Sequence, residues 1–322
     1  MTIVRDGWMK ATRRVLATLA LMLLALGAAA ASPSSRAVWT WERDSYAILE
    51  SREAAEAAFD FLRSKRVDTI YLYADAFEGR NLIADQPQRY RDFIAQAHEH
   101  GFRVYALLGS AYLHTERYIL PGQRREATAM LRRVLDYNAK APAAARFDGA
   151  NLDIEPHLLD EWSDATREDL LRDFIDVSAA WMAMKKESGQ TLAIGPAMPF
   201  WFDGIPVQWH GRTRPASEHL ADLYDYVALM DYRDHADGRD GIIAHAAKEM
   251  AYAEKIGKQV VIGLELTPNE LKKVTFNHLR EVDLEREIAA TQAAYGESKA
   301  FAGFALHHYR GYREWVAKQR GK

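Results

Sequence analysis

The stretch FDGANLDIEPH, residues 147–157, sets Asp148, Asn151, Asp153 and Glu155 into an otherwise apolar run. Side chains alternate faces along a strand. Asn151, Asp153 and Glu155 therefore share one face, and Leu152 and Ile154 share the other. Burying a carboxylate is costly unless it is paired, hydrogen-bonded or solvated, so the polar face needs a reason. The chemistry that suits it is proton transfer. A partly buried carboxylic acid next to a second carboxylate is pushed toward its neutral form by desolvation and like-charge repulsion, which lets it donate a proton near neutral pH. Cleavage of a glycosidic bond needs that donor and a second negative group for the developing oxocarbenium ion. In this reading Glu155 is the acid and Asp153 its neighbour. The plainer alternative is a salt-bridged or helix-capping pair.

The elements around this stretch decide where it points. Strand-like runs occur at 37–41, 67–75, 102–110, 147–155, 190–198, 224–232, 258–266 and 300–309. Between them lie amphipathic runs at 52–65, 90–101, 122–139, 166–189, 240–257 and 282–296, and a short terminal helix extends to about residue 319. This alternation predicts an α/β fold, a (β/α)8 TIM barrel forming a single domain over residues 32–322. An open doubly wound sheet is the runner-up, but the Gly-x-Gly-x-x-Gly expected after its first strand is missing.

A barrel puts its site at the C-terminal ends of its strands. There the sequence offers Trp39 and Trp41 on the first strand, Tyr73 and Asp75 on the second, and Asp153 and Glu155 on the fourth. The sixth adds Asp231, Tyr232 and Arg233, the seventh Glu265, and the eighth His307 and His308. Trp41, Tyr73, Asp75, Asn151, Asp231, Arg233 and His307 are expected to line a substrate groove. The long aromatic stretch FWFDGIPVQWHG, residues 200–211, is expected to wall it with Trp201, Phe202 and Trp209.

DGANLDIE, residues 148–155, resembles the DxxDxDxE strand signature of glycoside hydrolase family 18, the chitinase-like TIM barrels. Asp148, Asp153 and Glu155 match, and Asn151 stands in place of an Asp. LMDY, residues 229–232, is similar to that family's sixth-strand motif through Met230 and Tyr232, with Arg233 in place of its Asp. The eighth strand ends in His307–His308 where the family has a Trp. The resemblance implies that Glu155 is the general acid/base. It implies that Asp153 orients a substrate N-acetyl group whose oxygen attacks, and that Tyr232 hydrogen-bonds that oxygen. A second resemblance, to retaining glycosidases with one glutamate ending strand four and another ending strand seven, makes Glu265 the nucleophile. The two readings differ in the separation of the carboxyl groups.

Composition sets the remaining limits. The chain has 322 residues, 48% hydrophobic and 27% charged, with a net charge of −3. That is globular material with no basic stripe for nucleic acid. Eight Trp, fifteen Tyr and twelve Phe leave aromatic rings to spare for a carbohydrate partner. Residues 1–31 have a basic start, a short apolar core over 15–27 and a GAAAAS segment, the pattern of a secretory signal peptide. They predict a periplasmic or secreted protein without stable membrane association once the leader is cut; a retained anchor is the alternative. With no cysteine, no disulfide framework is expected. No cofactor and no metal are expected. Two rivals remain: a chitinase-like sugar-binding protein without turnover, and a metal-dependent polysaccharide hydrolase or deacetylase with ligands drawn from Asp75, Asp153, His157 and His307.

Overall fold

A computed structural model describes residues 35–320; the leader-like residues 1–31 lie outside them. Eight parallel strands close into a barrel. They are β1 (Arg36–Thr40), β2 (Thr69–Tyr73), β3 (Arg103–Leu108), β4 (Gly149–Leu152), β5 (Ala193–Pro199), β8 (Tyr226–Met230), β9 (Gln259–Glu265) and β10 (Phe301–His307). A two-stranded hairpin, β6 (Pro206–Trp209) and β7 (Arg212–Pro215), sits between the fifth and sixth barrel strands. Helices follow the barrel strands, as the alternating pattern predicts. This is the (β/α)8 barrel, a single domain.

Local chemistry explains the helices. In Arg52–Ser64, Ser51 caps the N-terminus by accepting from Ala54 N at 3.2 Å. Ala55, Ala58, Phe59 and Leu62 recur at helical spacing and are all buried. Several elements escape the sequence reading, among them the helix Ala216–Leu223 before the sixth barrel strand. A helix at Glu42–Glu50 follows β1 at once. The stretch 200–211 is not an open loop: it holds a turn at Phe200–Gly204 and then enters the hairpin, whose turn is His210–Gly211 with φ of 47° and 76°. Paired positive φ values are what a tight hairpin turn requires.

The barrel has two packing zones. Val38, Leu72, Leu108, Leu152, Ile154 and Ile262 face the helices. Inside, Trp39, Tyr71, Leu107, Tyr226 and Val261 fill the lumen, with Tyr105 against them. Asn151 lies in this interior, fully buried. It accepts from Trp39 Nε1 at 2.9 Å and donates to Tyr226 Oη at 3.3 Å and to the Gly195 carbonyl at 3.4 Å. Gly263 makes room for the rings above: a Cβ there would stand 2.8 Å from the Leu229 carbonyl oxygen and 3.2 Å from Trp39 Cη2.

Candidate active site

The hydrogen-bonded ladder of β4 ends at Leu152, and Asp153 N still donates to the Leu108 carbonyl at 2.6 Å. Asp153 and Glu155 thus emerge at the C-terminal mouth. Gly109, with φ of 113°, lets the end of β3 run against them: a Cβ there would lie 2.0 Å from the Asp153 carbonyl oxygen. A cleft of 160 Å³ opens over the pair, lined by Trp41, Glu42, Ala111, Thr115, Glu116, Asp153, Glu155 and Leu158. Four carboxylates line it and no Lys or Arg does. A larger hollow of 550 Å³, lined by residues such as Arg52, Arg89 and Asp92, lies among the helices and away from the strand ends.

The electrostatics distinguish the carboxylates. Burial pushes the Asp153 carboxyl well above the ordinary range, and the charges of Glu155 and Glu42 add to the push. Its Oδ1 is buried without a partner. Glu42 is held by the Ser110 hydroxyl. Glu155 is partly exposed, with His157 Nε2 at 3.2 Å from its Oε2. The Tyr232 hydroxyl is driven up by burial and by Glu265, Asp153 and Glu155, so it stays protonated and able to donate.

Glu265 behaves differently. Its Oε1 accepts from Thr267 N at 2.6 Å and from Thr267 Oγ1 at 2.7 Å, and its Oε2 meets His307 Nδ1 at 2.8 Å. Burial pushes this carboxyl up, but His307 and Thr267 outweigh it and hold it below the usual range. Trp41 Nε1 donates to His307 Nε2 at 3.0 Å. An indole N–H only donates, so Nε2 accepts and the His307 proton lies on Nδ1, directed at Glu265. Trp41, His307 and Glu265 form one chain that anchors the cleft wall, and the Tyr232 ring lies beside it, 5.9 Å from His307. The peptide joining His307 to His308 is cis.

Asp153, Glu155, Trp41, Tyr232, Glu265 and His307 therefore gather at the mouth. Five expected groove residues do not. Asn151 sits below, committed to Trp39, Tyr226 and Gly195. Tyr73 is fully buried, with its hydroxyl on the Ala76 carbonyl at 2.8 Å. Asp75 lies past the end of β2, where the chain has turned toward the helices; it pairs with Arg133 and accepts from Ala76 N at 2.8 Å. Asp231 alternates outward from Tyr232, is 0% exposed and faces His245 at 3.3 Å. Arg233 lies over the Phe200 ring and binds Asp240 at 2.9 Å. The metal-ligand set Asp75, Asp153, His157 and His307 does not converge, and among the described residues no group of three or more such side chains is arranged to hold a metal ion.

The aromatic wall is also revised. Trp209 turns to the helix Arg167–Ser188, donating to Asp176 at 2.8 Å, and Phe202 is buried. Trp201 stays near the cleft through His157, their rings 5.4 Å apart. The sequence reading missed Glu42 and Glu116. Glu42 directly follows Trp41 and could have been found by continuing past the strand end. Glu116 lies in a run of short turns after β3 that carries no periodic signal.

Comparison with protein-family models and with curated proteins finds no match for this chain. Comparison of folds does. A GH18 chitinase from Cycas revoluta, in complex with (GlcNAc)3, aligns with a TM-score of 0.55 and 12% identity over 89% of this chain and 98% of its own. The chitinase of the same organism in complex with allosamidin gives 0.53 and 11%, over 89% and 98%. The C-terminal domain of a protein named a chitinase, from Desulfitobacterium hafniense DCB-2, gives 0.53 and 13%, over 89% and 99%. The chain has the fold of the GH18 chitinases. Among the described residues, no helix is long and apolar enough to cross a membrane.

Proposed function

We propose that this protein is a glycoside hydrolase in which Glu155 donates the proton to the leaving oxygen. The observation that carries the reading is the Asp153–Glu155 pair: two carboxyl groups on one strand end, in a cleft edged by Trp41, one of them strongly disfavoured as an anion. The Glu155 side chain is 26% exposed, so a substrate oxygen can reach it. The fold shared with GH18 chitinases supports the same class of chemistry.

The second actor in this proposal is the substrate's own acetamido group, oriented by Asp153 and hydrogen-bonded by Tyr232. Glu265 is the less suitable nucleophile. It is 8% exposed and its oxygens already take three hydrogen bonds, which must be given up before it could attack. Four carboxylates and no Lys or Arg along the cleft favour neutral or basic sugars over uronates and sulfated chains, since like charges repel. The leader-like residues 1–31 add export, to a periplasm or beyond, to the proposal.

The test is release of reducing ends from a panel of polysaccharides with acetamido groups, without them, and with carboxylates. General acid catalysis contributes about 10²–10⁴-fold, so Glu155→Gln should lower release by about that factor in a normally folded protein. Cleavage confined to acetamido sugars supports Asp153 and the substrate as the second actor. Equal cleavage of sugars lacking that group returns Glu265 to the role.

A further inference from the structure

Glu155 has one polar side-chain neighbour at ion-pair distance among the described residues, and it comes from its own turn. Pro156 follows Glu155 and fixes its own φ, and the Glu155 carbonyl accepts from Leu158 N at 3.0 Å. Glu155 therefore caps a single stiff turn, Pro156–Leu158, and His157 is its middle residue. The turn brings His157 Nε2 to 3.2 Å from Glu155 Oε2. The rest of the imidazole is enclosed by rings. Trp201, Trp162 and Phe202 stand with centroids at 5.4, 6.3 and 6.4 Å, each edge-to-face. The other ring nitrogen, Nδ1, is buried and has no hydrogen-bond partner.

This box fixes the direction of the imidazole. Nδ1 has no acceptor to serve, so the ring's N–H belongs on Nε2, the nitrogen that faces the carboxyl group. Contacts of this kind are often long in a protein without substrate and tighten when substrate binds. In the free protein Nε2 stands 3.2 Å from Oε2 without the alignment of a hydrogen bond; once Nε2–H closes on Oε2 with substrate bound, that oxygen is used as an acceptor. The transferable proton then sits on Oε1. We propose that His157 is the positioning residue of the general acid: it occupies Oε2 of Glu155 and leaves Oε1 to deliver the proton to the leaving oxygen. The aromatic box holds the imidazole in place for this task.

This inference rests on Glu155 being the proton donor, and its test separates the two claims. A nitrophenolate leaves a sugar with little need of a proton, whereas a sugar alcohol needs one. Turnover of a 4-nitrophenyl glycoside and of an oligosaccharide of the same sugar is measured for the wild type, Glu155→Gln, His157→Gln and His157→Asn. The Gln side chain puts an N–H where Nε2 stands; the Asn side chain puts one only where Nδ1 stands. His157→Asn should lower kcat on the oligosaccharide by about ten- to a hundred-fold, a share of the whole acid effect, with KM little changed and the nitrophenyl substrate nearly unaffected. His157→Gln should recover most of the loss. If Glu155→Gln loses the oligosaccharide selectively but His157→Asn loses both substrates equally, or neither, the inference about His157 falls alone. It falls also if His157→Gln and His157→Asn behave alike. If Glu155→Gln shows no such selectivity, or the wild type turns over neither substrate, the donor assignment falls and His157 with it.

Discussion

Asn151 shows how one side chain can be read correctly in direction and wrongly in purpose. Its parity with Asp153 and Glu155 places it on the inward face, and it is there. Yet it lies one layer below the mouth, where the Trp39 indole needs an acceptor and the Gly195 carbonyl needs a donor. An amide supplies both; a carboxylate supplies only acceptors. This accounts physically for an Asn where the resembling signature has an Asp. Asn151→Asp should lower the free energy of unfolding at pH 7 by about 1–3 kcal/mol, the cost of a buried unsatisfied group, as read by urea denaturation. An unchanged midpoint would remove Asn151 from the internal network. Asp153 and Glu155 were legible because period-two alternation is a strong signal. The chain Trp41–His307–Glu265 was not, since Trp41 meets His307, and His307 meets Glu265, only through the closed barrel.

At the scale of elements, the order of strands and helices was legible because each βα unit carries its own periodicity. The strand ends were less so, and the site depends on them. The second strand stops at Tyr73, two residues before Asp75, and the turn carries that carboxylate to Arg133 among the helices. Parity holds only while the ladder holds. The hairpin at Pro206–Pro215 was hidden by its aromatic content, which drew attention to sugar stacking when Trp209 serves a helix.

The helix Ile242–Ile256 carries a separate liability. Glu249 is 6% exposed, neither oxygen has a partner at good hydrogen-bond geometry, and burial, only partly offset by its own backbone N–H and the Ser217 hydroxyl nearby, raises its pKa to about 8 from an ordinary 4.5. The folded state thus binds a proton that the unfolded chain releases between about pH 4.5 and 8, and the stabilisation present at the acid end is lost as pH rises through that window. At about 1.4 kcal/mol per pH unit, the loss amounts to several kcal/mol. Glu249→Gln should raise Tm at pH 8 and flatten its decline from pH 5 to 8. Parallel curves for the two proteins would mean that Glu249 has found a partner or water.

At the scale of the molecule, the fold narrows the chemistry without choosing it, because one barrel hosts many reactions. What is particular to this chain is the set of side chains at one mouth: an acid pair, an acidic cleft, an anchored Trp41–His307–Glu265 wall and a histidine 3.2 Å from Glu155. The same barrel with the same cleft could bind sugars and never cut them. Turnover therefore has to be separated from binding, on one ligand and one residue.

The most direct measurement takes the best oligosaccharide from the panel and follows both calorimetric binding and hydrolysis for wild type and Glu155→Gln. Replacing the carboxyl by an amide removes the proton while keeping the shape. The account predicts that affinity is retained and turnover falls by about 10²–10⁴-fold. Binding without turnover by the wild type, or hydrolysis at equal rates by both proteins, would contradict it.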